Sequence, residues 1–287
     1  MLLLFTILGL MGMLVPLSAQ EEHPMQPGTR QAPGNTPPYE ALFGSAFPRP
    51  DPEQPVVVPI LMYHHVRYLP PEADRTWREL TVDPVAFEAQ MAYLVEHGYH
   101  TISFTDLADF FDRGKSLPQN PVILTFDDGW EEQYTTVLPI LRRYGLTATF
   151  FPPTQWVNSS NSTLTWAQIE EMSAAGMAFG SHTVNHYSLP QQTHDEARQQ
   201  LSQSKAVLEA HIHKPVIALA YPEGNFSPAI VQLAAQIGFR VAVGTRSGVE
   251  QRPVDRFALC RISVGYGTPL QTFVARLPVP SIPRSHS

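Results

Sequence analysis

The chain is short of cysteine. Cys260 is the single one among 287 residues, which excludes an intrachain disulfide and any cysteine-based zinc cluster. It lies between Leu259 and Arg261 in an apolar segment and reads as a small buried hydrophobe. Basic residues are in deficit as well: 19 Lys and Arg against 26 Asp and Glu leave a formal net charge of -7. That balance argues against nucleic acid, or an anionic membrane surface, as the main partner. Long apolar runs are missing except at residues 2–17, which end in Leu17-Ser18-Ala19-Gln20. This run is too short for a comfortable membrane span, and small residues before Gln20 suit cleavage after Ala19. Residues 1–19 are therefore expected to be a secretory signal peptide. No basic residue precedes the apolar core, so an uncleaved N-terminal anchor is the alternative, and the only membrane link expected. Either way the remainder is exported: secreted, periplasmic or at the cell surface. No internal repeat is present.

Proline, by contrast, is plentiful. Residues 20–55 are rich in Pro, Gly, Gln and Glu and include Gln31-Ala32-Pro33-Gly34-Asn35-Thr36-Pro37-Pro38. Such a stretch cannot bury enough apolar surface to order itself, so it reads as a linker. Residues 278–287 read as a short tail, leaving 56–277 as one folded domain.

Within that domain strands and helices alternate. Residues 56–63 read as the first core strand and 70–80 as a surface loop. Asp83 and Pro84 open a helix over 85–96, with Phe87, Met91, Leu94 and Val95 at helical spacing. A strand at 101–104 and a helix capped by Thr105 and running to Phe111 come next. The run 121–126 is a buried strand, 131–144 a helix stopped by Gly145, and 147–151 a strand. Thr165 caps a helix over 166–175, with Gly176 as its C-cap. Strands at 177–180, 216–220, 240–244 and 259–264 alternate with helices over 193–211, 228–237 and 270–277. Seven or eight such units predict an α/β fold: a distorted (β/α) barrel of about seven strands.

In such barrels chemistry sits at the C-terminal ends of the strands. Every unusual polar cluster lies at one: His64, Asp127-Asp128, His182 with His186, and Tyr221-Pro222-Glu223-Gly224-Asn225. Adjacent carboxylates at a strand end repel each other. A bound cation offsets the repulsion and leaves one acid free for proton transfer, although Asp-Asp-Gly alone is also ordinary turn chemistry. His182 and His186, four apart, suit a metal-binding pair or a plain surface pair. With one Asp they fill three of four positions around a divalent cation and leave the fourth to water, a catalytic rather than a structural pattern. Zinc is the default for that ligand set.

These motifs resemble those of the polysaccharide deacetylases, carbohydrate esterase family four, over residues 56–277. Thr125-Phe126-Asp127-Asp128-Gly129 matches the first motif, Ser181-His182-Thr183-Val184-Asn185-His186 the second, and Tyr221-Pro222-Glu223-Gly224 the third. The resemblance implies Asp127 as catalytic base, Asp128, His182 and His186 as metal ligands, and the Tyr221 backbone N–H as oxyanion donor. Ala220 stands where many members have an Arg, and no Leu-x-His motif lies near the C-terminus. In both respects the chain is similar to a circularly permuted branch that includes poly-N-acetylglucosamine deacetylases. There the acid comes from an N-terminal Tyr-His, here Tyr63-His64, with His65 the rival. Arg261 is a candidate to orient Asp127 in place of the missing Arg.

Amide hydrolysis fits these residues chemically. A metal polarises the carbonyl and lowers the pKa of bound water, Asp127 takes the proton, and a charged His64 protonates the departing amine. Trp130, Trp156 and Trp166 are candidates to stack on sugar rings or to be core. The expected activity is removal of N-acetyl groups from an N-acetylglucosamine-containing polysaccharide. The alternatives are an O-acetyl esterase, such as one acting on xylan, and a catalytically dead carbohydrate-binding module.

Overall fold

The computed structural model describes residues 50–266 and 268–280. The expected leader at 1–19, the linker up to residue 49 and the tail from residue 281 lie outside them. Among the described residues no helix is long and apolar enough to cross a membrane.

Pro59 has no N–H to give a ladder, and it divides the first apolar run. β1 (Val56–Val57) pairs antiparallel with residues 250–251, and β2 (Ile60–Tyr63) enters the central sheet. β3 (His65–Val66) follows. The stretch read as a loop holds a helix, α1 (Arg75–Leu80), begun by Asp74, whose carboxylate accepts from the Trp77 N–H at 2.9 Å. None of its residues is buried, so it left no apolar periodicity to read. β4 (Thr81–Val82) pairs with β3, and α2 (Pro84–Glu96) starts on Asp83 as expected.

β5 (His100–Thr101) is shorter than expected because Ser103, not Thr105, caps the next helix, α3 (Phe104–Arg113). The Ser103 hydroxyl accepts from the Asp106 N–H and the Asp106 carboxylate from the Ser103 N–H, a reciprocal box. β6 (Pro121–Asp127) is the longest strand of the sheet. Residues 131–144 are not one regular helix: a wide π turn, Gln133–Val137, leads into α4 (Leu138–Tyr144). Pro139 cannot donate back to the preceding turn, and the wide turn absorbs that loss. β7 (Thr149–Phe151), α5 (Trp166–Ala174) and β8 (Ala178–Phe179) come next, α5 ending on Ala175 rather than Gly176. The rest are α6 (His194–Ile212), β9 (Ala218–Ala220), α7 (Pro228–Ile237), β10 (Val241–Val243), β11 (Glu250–Gln251), β12 (Ile262–Ser263) and α8 (Leu270–Ala275).

The central sheet runs β12-β2-β6-β7-β8, all parallel, with β5 also against β6. β9 and β10 form a second parallel pair. Single parallel bridges, Ser181 to Leu219 and Val243 to Leu259, lie between these groups. The architecture is an α/β fold with a parallel central sheet and helices, and continuous strand pairing around a barrel is not observed among the described residues.

Strand alternation divides the buried side chains of β6. Val122, Leu124 and Phe126 pack into one apolar cluster with Leu61, Tyr63 and Phe150. Ile123 packs into a second with Ile60, Phe151, Ala220 and Val243. Thr125 and Asp127 share the face of Ile123, so the strand carries its polar residues toward the side where the other strand ends converge. Cys260 is buried, and Gln251 holds its backbone from both sides, accepting from its N–H at 3.0 Å and donating to its carbonyl at 3.1 Å.

Candidate active site

Parallel register brings the two halves of the site together. Tyr63 is level with Phe126, and Phe151 with Asp127, so His64 and Asp127 stand side by side at the C-terminal ends of β2 and β6. His64 Nε2 lies 4.0 Å from Asp127 Oδ2. Beyond Asp127 the alternation breaks: Asp128 has φ 72 and Gly129 φ 69. Both carboxylates therefore reach one cleft. A Cβ at Gly129 would come within 2.6 Å of the Pro152 Cβ, so this turn admits glycine on space as well as on φ.

Asp127 is fully buried, and its partner is Arg261, also fully buried. The guanidinium forks onto it, Nη1 to Oδ1 and Nη2 to Oδ2, each at 2.8 Å, while Nε donates to the Gly244 carbonyl at 2.8 Å. Burial opposes ionisation of Asp127, but the Arg261 charge outweighs it and holds the carboxyl below its usual range. Burial pulls the His64 imidazole below its usual range, against the Asp127 and Asp128 charges.

Asp128, His182 and His186 form a second group. One ligand atom from each lies within 4.8 Å of the others. The His182 Nδ1 contacts the Ala220 carbonyl at 2.7 Å, and as the donor there it leaves Nε2 as a free lone pair facing Asp128. Asp128 Oδ1 is 3.6 Å from His182 Nε2 and 3.4 Å from His186 Nε2, and it is buried without a hydrogen-bond partner. Its other oxygen accepts from the Trp130 indole N–H at 3.3 Å. An orphaned buried carboxylate oxygen facing two imidazole nitrogens is the donor set of a divalent cation, so these residues fit one bound metal. Asp128 and His186 both have positive φ, as does Thr183 between the histidines. Such conformations persist where surrounding structure enforces them.

The remaining expected residues fall as follows. The Tyr221 N–H, expected as the oxyanion donor, donates to the Val243 carbonyl at 3.1 Å. This bond continues the β9–β10 ladder by one residue. His65 points away from His64, buried, with Nδ1 2.6 Å from Glu132 and its ring stacked at 4.4 Å on Trp130. Trp130 packs at 5.8 Å on Trp156, which lies 5.3 Å from His186, so both tryptophans flank the metal group. Trp166 is occupied elsewhere, stacked at 3.9 Å on His211.

Sequence reading missed Gln133. It is completely buried, and its side-chain nitrogen donates to the Asp127 carbonyl at 2.6 Å and the His64 carbonyl at 3.2 Å. No sequence signal marks it, since a polar residue is ordinary on a stretch that reads as helix.

A family model described as polysaccharide deacetylase matches residues 114–242. YxkH of Bacillus subtilis, a presumptive polysaccharide deacetylase, is 29% identical over 215 residues, covering 75% of this chain and 74% of that protein. The poly-beta-1,6-N-acetyl-D-glucosamine N-deacetylase of Escherichia coli is 32% identical over 128 residues, which is 39% of this chain and 19% of that protein. Among solved structures, the Streptococcus pyogenes deacetylase PplD in complex with acetate superposes with a TM-score of 0.73 at 29% identity, covering 78% of this chain and all of that one.

Proposed function

We propose that this chain, which belongs to the polysaccharide deacetylase family, is a metal-dependent hydrolase that removes N-acetyl groups from an N-acetylglucosamine-containing polysaccharide. One observation carries the reading. A three-residue metal group, Asp128, His182 and His186, opens beside a carboxylate that is held ionised and an imidazole 4.0 Å from it. Ion-pair networks explain a buried Asp–Arg fork, but they do not explain an orphaned ligand oxygen next to it.

Asp128, His182 and His186 would hold one divalent cation, and we take zinc as the ion. When bound, it polarises the acetamide carbonyl and acidifies the attacking water. Asp127 then serves as the general base. The Arg261 fork fixes its plane, so an oxygen edge faces the cleft without rotamer search. His64, as imidazolium, protonates the departing amine, a group too basic to leave as an anion. His65 is excluded from that role by its burial against Glu132 and Trp130. Trp130 and Trp156, half-buried beside the metal group, offer faces for a sugar ring. The poly-N-acetylglucosamine N-deacetylase similarity supports an N-acetyl substrate. We place the catalytic domain at 56–277, after a leader and linker that export it, and read the two single strand bridges as the route toward a nearly closed barrel.

The test is metal analysis together with acetate release from a panel of N-acetylated glucosamine polymers and O-acetylated xylan. One equivalent of metal and acetate from the N-acetylated polymers are expected. Acetate from O-acetylated xylan alone would replace this reading with an esterase, and polymer binding without acetate would replace it with a binding module.

A further inference from the structure

The ladder between β2 and β6 ends at Tyr63 and Phe126. One residue further on, at His64 and Asp127, no backbone pair continues it. The Gln133 side chain does. Its NH2 group has two hydrogens, and two carbonyls receive them: Asp127 at 2.6 Å and His64 at 3.2 Å. These contacts fix which way the amide points. The other end, Oε1, is buried with no hydrogen-bond partner. An unpaired buried acceptor is destabilising, so the amide is held there by what its nitrogen does for the two strand-end carbonyls.

Gln133 reaches this position from the first residue of the wide π turn, where its own carbonyl accepts from the Leu138 N–H. Wide turns inside helices recur at functional sites. The turn follows directly on Gly129 and Trp130, so the same loop that ends β6 also presents the clamp.

We propose that Gln133 is a positioning residue for the reaction, setting the separation of the His64 and Asp127 side chains by tying together the backbone carbonyls of those two residues. This rests on the reading of Asp127 as base and His64 as acid. Displacements of about 1 Å between reacting groups cost up to a hundredfold in rate.

The experiment uses Gln133→Met, which keeps length and removes both donors, and Gln133→Asn, which keeps the amide but is one methylene short of spanning both carbonyls. Both are made in the full chain and also combined with His64→Ala. For Gln133→Met, kcat on an N-acetylated oligosaccharide should fall about tenfold or more, with KM and bound metal within about twofold of the parent. The loss on an acetate ester with a nitrophenol leaving group should be much smaller, since that group departs without a proton. Combined with His64→Ala, Gln133→Met should add less than about twofold on the amide, because the two act through one group. Gln133→Asn should fall between parent and Gln133→Met, and it supplies the comparison if the latter does not fold. Parent-level kcat in either folded variant, an equal loss with and without His64, or loss of metal alongside activity would overturn the proposal. No loss on the amide from His64→Ala alone would overturn the underlying reading of His64 instead.

Discussion

Replacing Arg261 with methionine removes a charge from inside the protein and strands another. Arg261 and Asp127 are both essentially out of solvent, and the guanidinium makes two 2.8 Å bonds to the carboxylate and one to Gly244. Solvent screening is therefore slight. Breaking a buried pair from one side costs about 3–5 kcal/mol, since the remaining charge is left without compensation. For a domain of this size each kcal/mol shifts Tm by about 2–4 °C, so Arg261→Met should lower Tm by about 6–20 °C at pH 7. The pH dependence follows from the depressed carboxyl pKa of Asp127. A group whose pKa is lowered by folding adds stability above its unfolded value of about 3.9 and loses it as pH falls through the folded value. Without Arg261, burial is opposed only by the nearby His182 and His64 charges, so the balance moves toward the protonated acid. The Tm gap between parent and variant should therefore narrow as pH falls toward 4 and below. Turnover should drop about a hundredfold or more at pH 7, because the base loses its orienting fork and the charge that most favours its ionised form. Arg261→Lys keeps the charge without the fork and should recover part of the stability and little of the rate. Thermal scans at pH 7 and pH 4 with acetate-release kinetics decide the matter. A Tm within 2 °C of the parent and turnover within about twofold would refute the argument.

Three further outcomes are expected. Asp128→Ala removes a metal ligand, so metal content and activity should fall together, whereas Asp127→Asn should keep metal and lose turnover; a metal-free Asp127→Asn would reverse the two roles. His64→Ala should lose about a hundredfold or more on an amide and far less on a nitrophenyl acetate, with metal unchanged and His65→Ala milder; equal losses on both substrates would remove His64 as the acid. Asp112 bonds Arg240 and Arg256 at 2.7 Å each, and burial works against the depression of its pKa by those two arginines. Asp112→Asn should cost on the order of 1–2 kcal/mol at neutral pH, a deficit that shrinks as pH drops below about 4, read by the same scans. A deficit that grew in acid would show that the carboxylate is not what stabilises there.

The sequence was informative where physics is local. Asp83 and Thr165 cap helices within three residues of themselves, and both caps form. The strand end at Asp127-Asp128-Gly129 and the 182/186 spacing were legible because a cluster of polar groups at the end of an apolar run is improbable without a purpose. Interactions spanning the chain were less legible. Arg261 was named only as a candidate, and its fork with a residue 134 positions away has no sequence periodicity behind it. Helix α1 went unread because its residues are all solvent-accessible, so no apolar spacing marks it. Ser103 and Thr105 are both capping residue types, and only Ser103 has an acid three positions on that closes the box. Gln133 was invisible because its partners are carbonyls, which every residue has. The Tyr221 N–H was read from a motif, while the ladder that it joins is set by β10, a strand twenty residues later.

The lone thiol has a use of another kind. Cys260 is buried one residue from the guanidinium that holds Asp127, with its backbone clasped by Gln251. A thiol reagent reaches it when the buried segment that carries it, just before β12, opens. With no second cysteine in the chain, the rate of labelling is a clock for that opening alone. Opening of the segment beside the active-site guanidinium can therefore be timed in the folded protein, in minutes or hours, without a substrate and without a denaturant.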